Sequence, residues 1–279
     1  MIHLVFGRSK YAAPESWAEC TPAQRWELTV YHRIPPADRS ETIEMMVARI
    51  WLGVSPRAWS TWALARYQWG QLRQQFRWIF DTEPTGQPAP SFTHNGSTYY
   101  LPDDNFTNTT ALEVALANMA YLDFAHPDQP DPTALDTLIA TLCRPERPDL
   151  ATFRESLAWN GDRREPFNEA RSELRATALA DLPLPLKVSL LDYFERMNTH
   201  FLQQFSEMFG GDAQPRYGDG RGWIMMLKNA AKTGTFGPFD QVCQQPAHLF
   251  WATCLDDILD DRDRADAETQ ATNQHTHEN

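Results

Sequence analysis

The sequence predicts a mainly α protein with one small β-hairpin near residues 92–101, built as one compact domain or two closely packed helical subdomains. Three observations carry this reading. Apolar residues recur at helical spacing along most of the chain. Prolines preceded by capping hydroxyls or aspartate mark helix starts. One Asn-Gly pair, Asn95-Gly96, stands between two short β-prone runs.

Thr21-Pro22 opens the first helix, with Trp26 and Val30 on one face, and Pro35-Pro36 separates it from a second over about Glu41 to Leu52. That second helix turns Ile43, Met46, Val47, Ile50 and Trp51 inward. Ser55-Pro56 repeats the cap-then-proline signal. From there Trp62, Ala65, Trp69, Leu72, Phe76 and Ile79 fall at intervals of 3, 4, 3, 4 and 3, which predicts one long helix over about 56–79.

The Pro-, Thr- and Gly-rich segment 81–90 reads as a connector. Asn95-Gly96 favours the type I′ turn that matches strand twist, so Ser91 to His94 and Ser97 to Leu101 pair as a hairpin that leans on helices for stability. Helices follow over Thr110 to Leu122, with Leu112, Leu116 and Met119 on one face, and after Asp131-Pro132, with Leu135, Leu138, Ile139 and Leu142 inward. Residues 146–166 are polar and irregular, with at most one helical turn, and an amphipathic helix is expected over 167–180.

The strongest helix begins near Leu184-Pro185, where Leu186, Leu190, Phe194, Met197, Phe201, Phe205 and Met208 recur at 4, 4, 3, 4, 4 and 3. Gly210-Gly211 ends it, a glycine-rich connector follows, and helices resume over Trp223 to Lys232 and after Asp240 and Pro246. The linear division is an aromatic-rich helical subdomain over 1–80, the connector 81–90, a hairpin-plus-helical subdomain over 91–263, and a disordered polar tail over 264–279.

With 42% hydrophobic and 12% aromatic residues in 279, the chain has enough apolar mass for a real core. A net charge of −12 opposes broad contact with nucleic-acid backbones or anionic membranes. Cys20, Cys143, Cys243 and Cys254 form no C-x-x-C pair, so they read as reduced, mostly buried thiols. With no spanning-length apolar run and no basic leader, the expected compartment is the cytoplasm.

No catalytic, cofactor or metal set is expected from residue spacing. Gly210 to Gly222 followed by Lys232-Thr233-Gly234 lacks the preceding strand and the spacing of a P-loop. Asp256, Asp257, Asp260 and Asp261 follow helical rather than calcium-loop spacing and read as a solvated helix end. The segment 56–80 differs, because Arg57, Arg66, Arg73 and Arg77 give it a local charge of +4 with no acidic residue. Its plainer reading is an arginine-edged core helix. The sharper one is a partner interface at Trp59, Arg66, Tyr67, Arg73, Arg77 and Trp78, where arginine beside aromatic rings anchors a protein or, as the alternative, stacks on nucleic-acid bases.

Four segments resemble, in order, a group of proteins encoded among the structural genes of phages and prophages of Bacteroidetes. They are Pro14 to Gln24, the hairpin ending in Tyr99-Tyr100, Leu135 to Pro145, and the proline-started aromatic helix Leu182 to Phe209. The chain departs at Cys20 and Cys143, where that group has leucine and tyrosine. Its arrangement is also similar in style to phage tail assembly chaperones. The resemblance implies a non-enzymatic protein that binds phage structural or tail proteins in the host cytoplasm or the virion.

Overall fold

The computed structural model describes residues 1–6, 9–209 and 220–277, and it is mainly helical. Two compact units share the chain, one made of Met1–Pro90 with Asp181–Glu195, the other of Ser91–Ala180 with Arg196–Asn279. Among the described residues no helix is long and apolar enough to cross a membrane.

The first unit opens with a hairpin of β1 (Ile2–Phe6) and β2 (Ser9–Ala13), paired Ile2 to Ala13 through Phe6 to Ser9. This hairpin is additional to the one expected. Its signal was the alternation of Ile2, Leu4 and Phe6, half-buried, with His3 and Val5, exposed. Next come α1 (Pro22–His32) and α2 (Glu41–Trp51). Thr21 caps α1 as a capping box, accepting from the Gln24 amide while the Gln24 side chain accepts from the Thr21 amide.

The single long helix expected over 56–79 is instead three: α3 (Pro56–Trp59), α4 (Arg66–Phe76) and α5 (Trp78–Asp81). Two local causes act at the first break. The hydroxyls of Ser60 and Thr61 donate to the carbonyls of Arg57 and Ala58 at 2.8 and 2.7 Å, competing with helical continuation. The Gln68 side chain then accepts from the Ala65 amide at 2.9 Å and starts α4 afresh. A tertiary cause adds to these, since Trp62 is drawn onto Phe6 and Tyr11, with ring centroids 4.6 and 5.1 Å away.

The core of this unit gathers Trp17, Leu28, Val47, Trp51, Leu72, Phe76 and Ile79. Its two fully buried indoles are satisfied by backbone, Trp51 Nε1 donating to the Pro14 carbonyl at 2.7 Å and Trp17 Nε1 to that of Thr82 at 2.8 Å. Arg25 of α1 donates to the carbonyls of Trp17 and Thr85, both at 2.7 Å, and to that of Gln87. Segment 81–90 is thereby tied down along its length.

In the second unit β3 (Ser91–His94) and β4 (Ser97–Tyr100) form the expected hairpin, with Asn95 and Gly96 at φ +47° and +77°, as a type I′ turn demands. A short strand, β5 (Arg144–Pro145), adds to it by pairing with Tyr99 and Tyr100. The helices are α6 (Ala111–Phe124), α7 (Pro132–Leu142), α8 (Leu150–Arg154) and α9 (Glu169–Leu179). After them run α10 (Leu184–Gln204), α11 (Ser206–Phe209), α12 (Gly222–Thr233), α13 (Phe239–Cys243) and α14 (Ala247–His277).

Helix α6 is central, packing on α7, α12, α13 and α14. Leu112, Leu116 and Met119, the expected inner face, are only half-buried, while Ala111, Val114, Ala115 and Ala117 are fully buried, because the small residues admit close neighbours on other sides. Along α10 the expected face holds, with Leu186, Leu190, Phe194, Met197 and Phe201 buried and Phe205 buried just beyond its end, while Met208, expected on the same helix, is half-buried on α11. The first unit takes Asp181–Glu195, which includes this helix up to Glu195, and the rest of the helix belongs to the second, an allotment absent from the linear division.

The glycine-rich connector lies outside the described residues over 210–219. Its end, Gly220, has φ +74° and leads to α12. The tail expected to be disordered from residue 264 continues α14 through His277, since no proline or glycine between Ala247 and Asn279 interrupts the helix. Asp256, Asp257, Asp260, Asp261, Asp263 and Asp266 are all exposed along it.

Candidate partner-binding surface

The break between α3 and α4 turns what would be a buried seam into a lined cleft. Trp59, Ser60, Trp62, Ala63, Leu64, Arg66 and Trp69 face Glu41 and Met45 of α2 around about 690 Å³ of open space. Trp59 and Trp62 lie 5.1 Å apart at 37°, and Trp62 in turn rests on Phe6 of β1. The rings are therefore held by one another rather than free to swing. Trp69 presents a third indole, whose Nε1 is buried without a hydrogen-bond partner among the described residues.

A second cleft of about 460 Å³ flanks the other end of α4, lined by Arg39, Glu44, Gly70, Arg73, Phe76, Arg77, Phe80 and Asp81. Its charges are largely matched. Arg73 Nη2 lies 2.5 Å from Glu44 Oε1, and Arg77 Nε lies 2.9 Å from Asp81 Oδ2. The Arg39 guanidinium stands over the Phe80 ring, 4.6 Å from its centroid.

Of the six residues singled out from sequence, Trp59 and Arg66 meet in the first cleft, and Arg73 and Arg77 in the second. Tyr67 is 69% exposed and lines neither. Trp78 turns inward against Trp17, with centroids 5.4 Å apart at 88°. Arg57 and Arg66 are exposed and in no ion pair among the described residues. Trp62, Leu64, Trp69, Met45 and Arg39 were not among the six. The seam spacing had assigned Trp62 and Trp69 to a core; both are half-buried and pack against the core of the first unit, and each also lines the cleft.

The second unit holds a different constellation, at the end of α7. The final turn of a helix leaves four carbonyls without intrahelical partners. Here the Ile139 carbonyl accepts from the Cys143 amide at 2.7 Å, and the other three each accept from a different buried arginine. Arg175 reaches Ala140 at 2.6 Å, Arg144 reaches Thr141 at 3.0 Å, and Arg164 reaches Leu142 at 2.7 Å. Three guanidiniums thus sit at the negative end of the helix dipole.

Their charge is balanced by carboxylates. Glu113, 2% exposed, lies 2.9 Å from Arg144 and 3.5 Å from Arg164, Asp162 lies 2.7 Å from Arg164 Nε, and Glu165 pairs with Arg175. The cluster pins the 146–166 segment onto α6 and α7 through Arg164, and the Glu146–Arg164 bridge closes the segment on itself. Burial pushes the neighbouring Cys143 thiol up to about 12, against the pull of the arginines. The cluster binds chain to chain, and its thiol is held protonated.

Among the described residues no group of three or more His, Cys, Asp or Glu side chains is placed to hold a metal ion. Comparison with protein-family models, with curated proteins and with solved structures finds no match.

Proposed function

We propose that this chain is a non-enzymatic binding protein that holds a protein partner in the aromatic cleft of its first unit. The observation that carries this reading is the cleft itself, where Trp59, Trp62, Leu64 and Trp69 surround open space with the unpaired Arg66 at its edge. Tryptophan and arginine are the residues that dominate binding energy at protein interfaces, and rings braced by one another lose little entropy on contact. The resemblance to phage structural-gene products supplies the context, so the partner proposed is a tail or other particle protein, met in the host cytoplasm or the virion.

A protein partner is favoured over nucleic acid by the charges. Arg73 and Arg77, half of the basic residues of segment 56–80, already face Glu44 and Asp81. The rest of a chain of net charge −12 opposes a polyanion.

The test is affinity purification of the tagged chain from cells expressing the neighbouring genes, with mass spectrometry of what co-elutes. Particle proteins captured by the wild type and lost with Trp59→Ala or Trp69→Ala are expected. Capture of nucleic acid alone, weakening with salt and with Arg66→Ala, would replace this reading with the nucleic-acid one. Capture of neither would remove both.

A further inference from the structure

A second surface of the first unit goes beyond that reading. Arg66, Gly70, Arg73 and Arg77 follow at intervals of four, three and four residues, so they form one stripe along α4. All four are exposed. Gly70 stands mid-helix with nothing within 4 Å of where a Cβ would be, so no packing among the described residues uses its missing side chain. A glycine there weakens the helix and leaves bare backbone between two arginines about 10 Å apart along the axis. Bare backbone is what a second helix needs to approach closely.

The chain carries a surface of opposite charge at the same spacing. On α14, Asp256, Asp260 and Asp263 share the face opposite Trp251 and Cys254, and the first and last are again separated by seven residues, about 10 Å. All three are exposed and in no ion pair among the described residues. Nearby, Arg262 is turned to Glu207 and Arg264 to Asp261, while Asp257 and Asp266 add to the negative field.

We infer that the Arg66–Gly70–Arg73 stripe of one copy binds the aspartate face of α14 of a second copy. Charge complementarity and the matched seven-residue spacing select this occupant. Glu44 and Asp81, the carboxylates lining the cleft beside the stripe, hold Arg73 and Arg77 in place, and Arg66 brings the charge not yet met. The two surfaces differ, so the contact either is made twice in a closed pair or passes from copy to copy in a ring or an open chain.

The test is sedimentation velocity of the full chain over a wide concentration range, in salt of about 0.05 M and about 0.5 M. Species larger than the monomer are expected in low salt and should be lost in high salt. Arg66→Glu should be monomeric, as should Asp256→Lys/Asp260→Lys, and an equimolar mixture of the two should regain the larger species. Gly70→Leu, which leaves every charge in place, should also abolish association, with circular dichroism reporting that each variant keeps its helices. A wild type that is monomeric in low salt overturns the inference. So does association that survives high salt or either charge reversal, or a mixture that stays monomeric. Trp59→Ala, which touches only the aromatic cleft, should still self-associate while losing its client, so the two readings fail separately.

Discussion

Arg164 makes the most concentrated set of contacts in the second unit. Its three guanidinium nitrogens reach the Leu142 and Asn108 carbonyls, Asp162 and Glu113, with 1% of the residue exposed. Truncating it would orphan a helix-end carbonyl and leave Glu113 buried with a single partner. Arg164→Ala should therefore cost about 3–5 kcal/mol in urea unfolding, and a loss under about 1 kcal/mol would contradict the role given to it. Arg164→Lys should recover little, because one ammonium cannot span acceptors on several sides of a planar fork. Cys143 gives a second residue-scale expectation. With its thiol pushed up to about 12, the thiolate fraction at pH 8 is about 10⁻⁴, so a thiol reagent should reach it only when denaturant opens the fold. Cys143 was read from the sequence as a buried thiol, and it is free and buried, whereas Arg164 was not singled out. Nothing local in the sequence says that arginines 144, 164 and 175 converge on consecutive carbonyls of one helix.

Among the elements, two glycines should respond oppositely to alanine. Gly70 has helical backbone and open space, so Gly70→Ala should raise the stability of the first unit by about 0.5–1 kcal/mol. Gly220 has φ +74°, and an added Cβ would stand 2.9 Å from Leu122 Cδ1, so Gly220→Ala should lower stability by more than about 1 kcal/mol. Denaturant titration of both variants checks the pair, and like signs would refute the local geometry. Element starts were the most legible feature of the sequence. Thr21-Pro22, Ser55-Pro56 and Asp131-Pro132 open α1, α3 and α7 where the cap rules put them. The continuation of α3 was not legible, because helical spacing persists through 60–65 whether or not the backbone follows it. Ser60, Thr61 and the pull of Trp62 onto the first hairpin decide that it does not.

At the scale of the whole molecule, protonation links the buried thiols to stability. The Cys20 and Cys143 thiols are pushed up to about 12 and Cys254 to about 11, in each case first by burial. Between the unfolded value of 9.0 and these raised values the folded chain holds protons that the unfolded chain has released. Stability should thus be unaffected by these groups below about pH 9 and fall as pH rises above it. Cys143→Ala should flatten that decline, and a thermal-unfolding midpoint independent of pH from 8 to about 11 would refute the linkage. The sequence by itself determined the mainly helical class, the Asn95-Gly96 hairpin, most helix starts and the inward face of α10. All of these rest on interactions within a few residues: caps, turn dihedrals and the 3.6-residue period. Only the tertiary structure decided that Trp62 is drawn onto the first hairpin to line a cleft, that 181–195 joins the first unit, and that three arginines close α7. Those outcomes depend on which distant groups meet, and a local period carries no information about what lies opposite it.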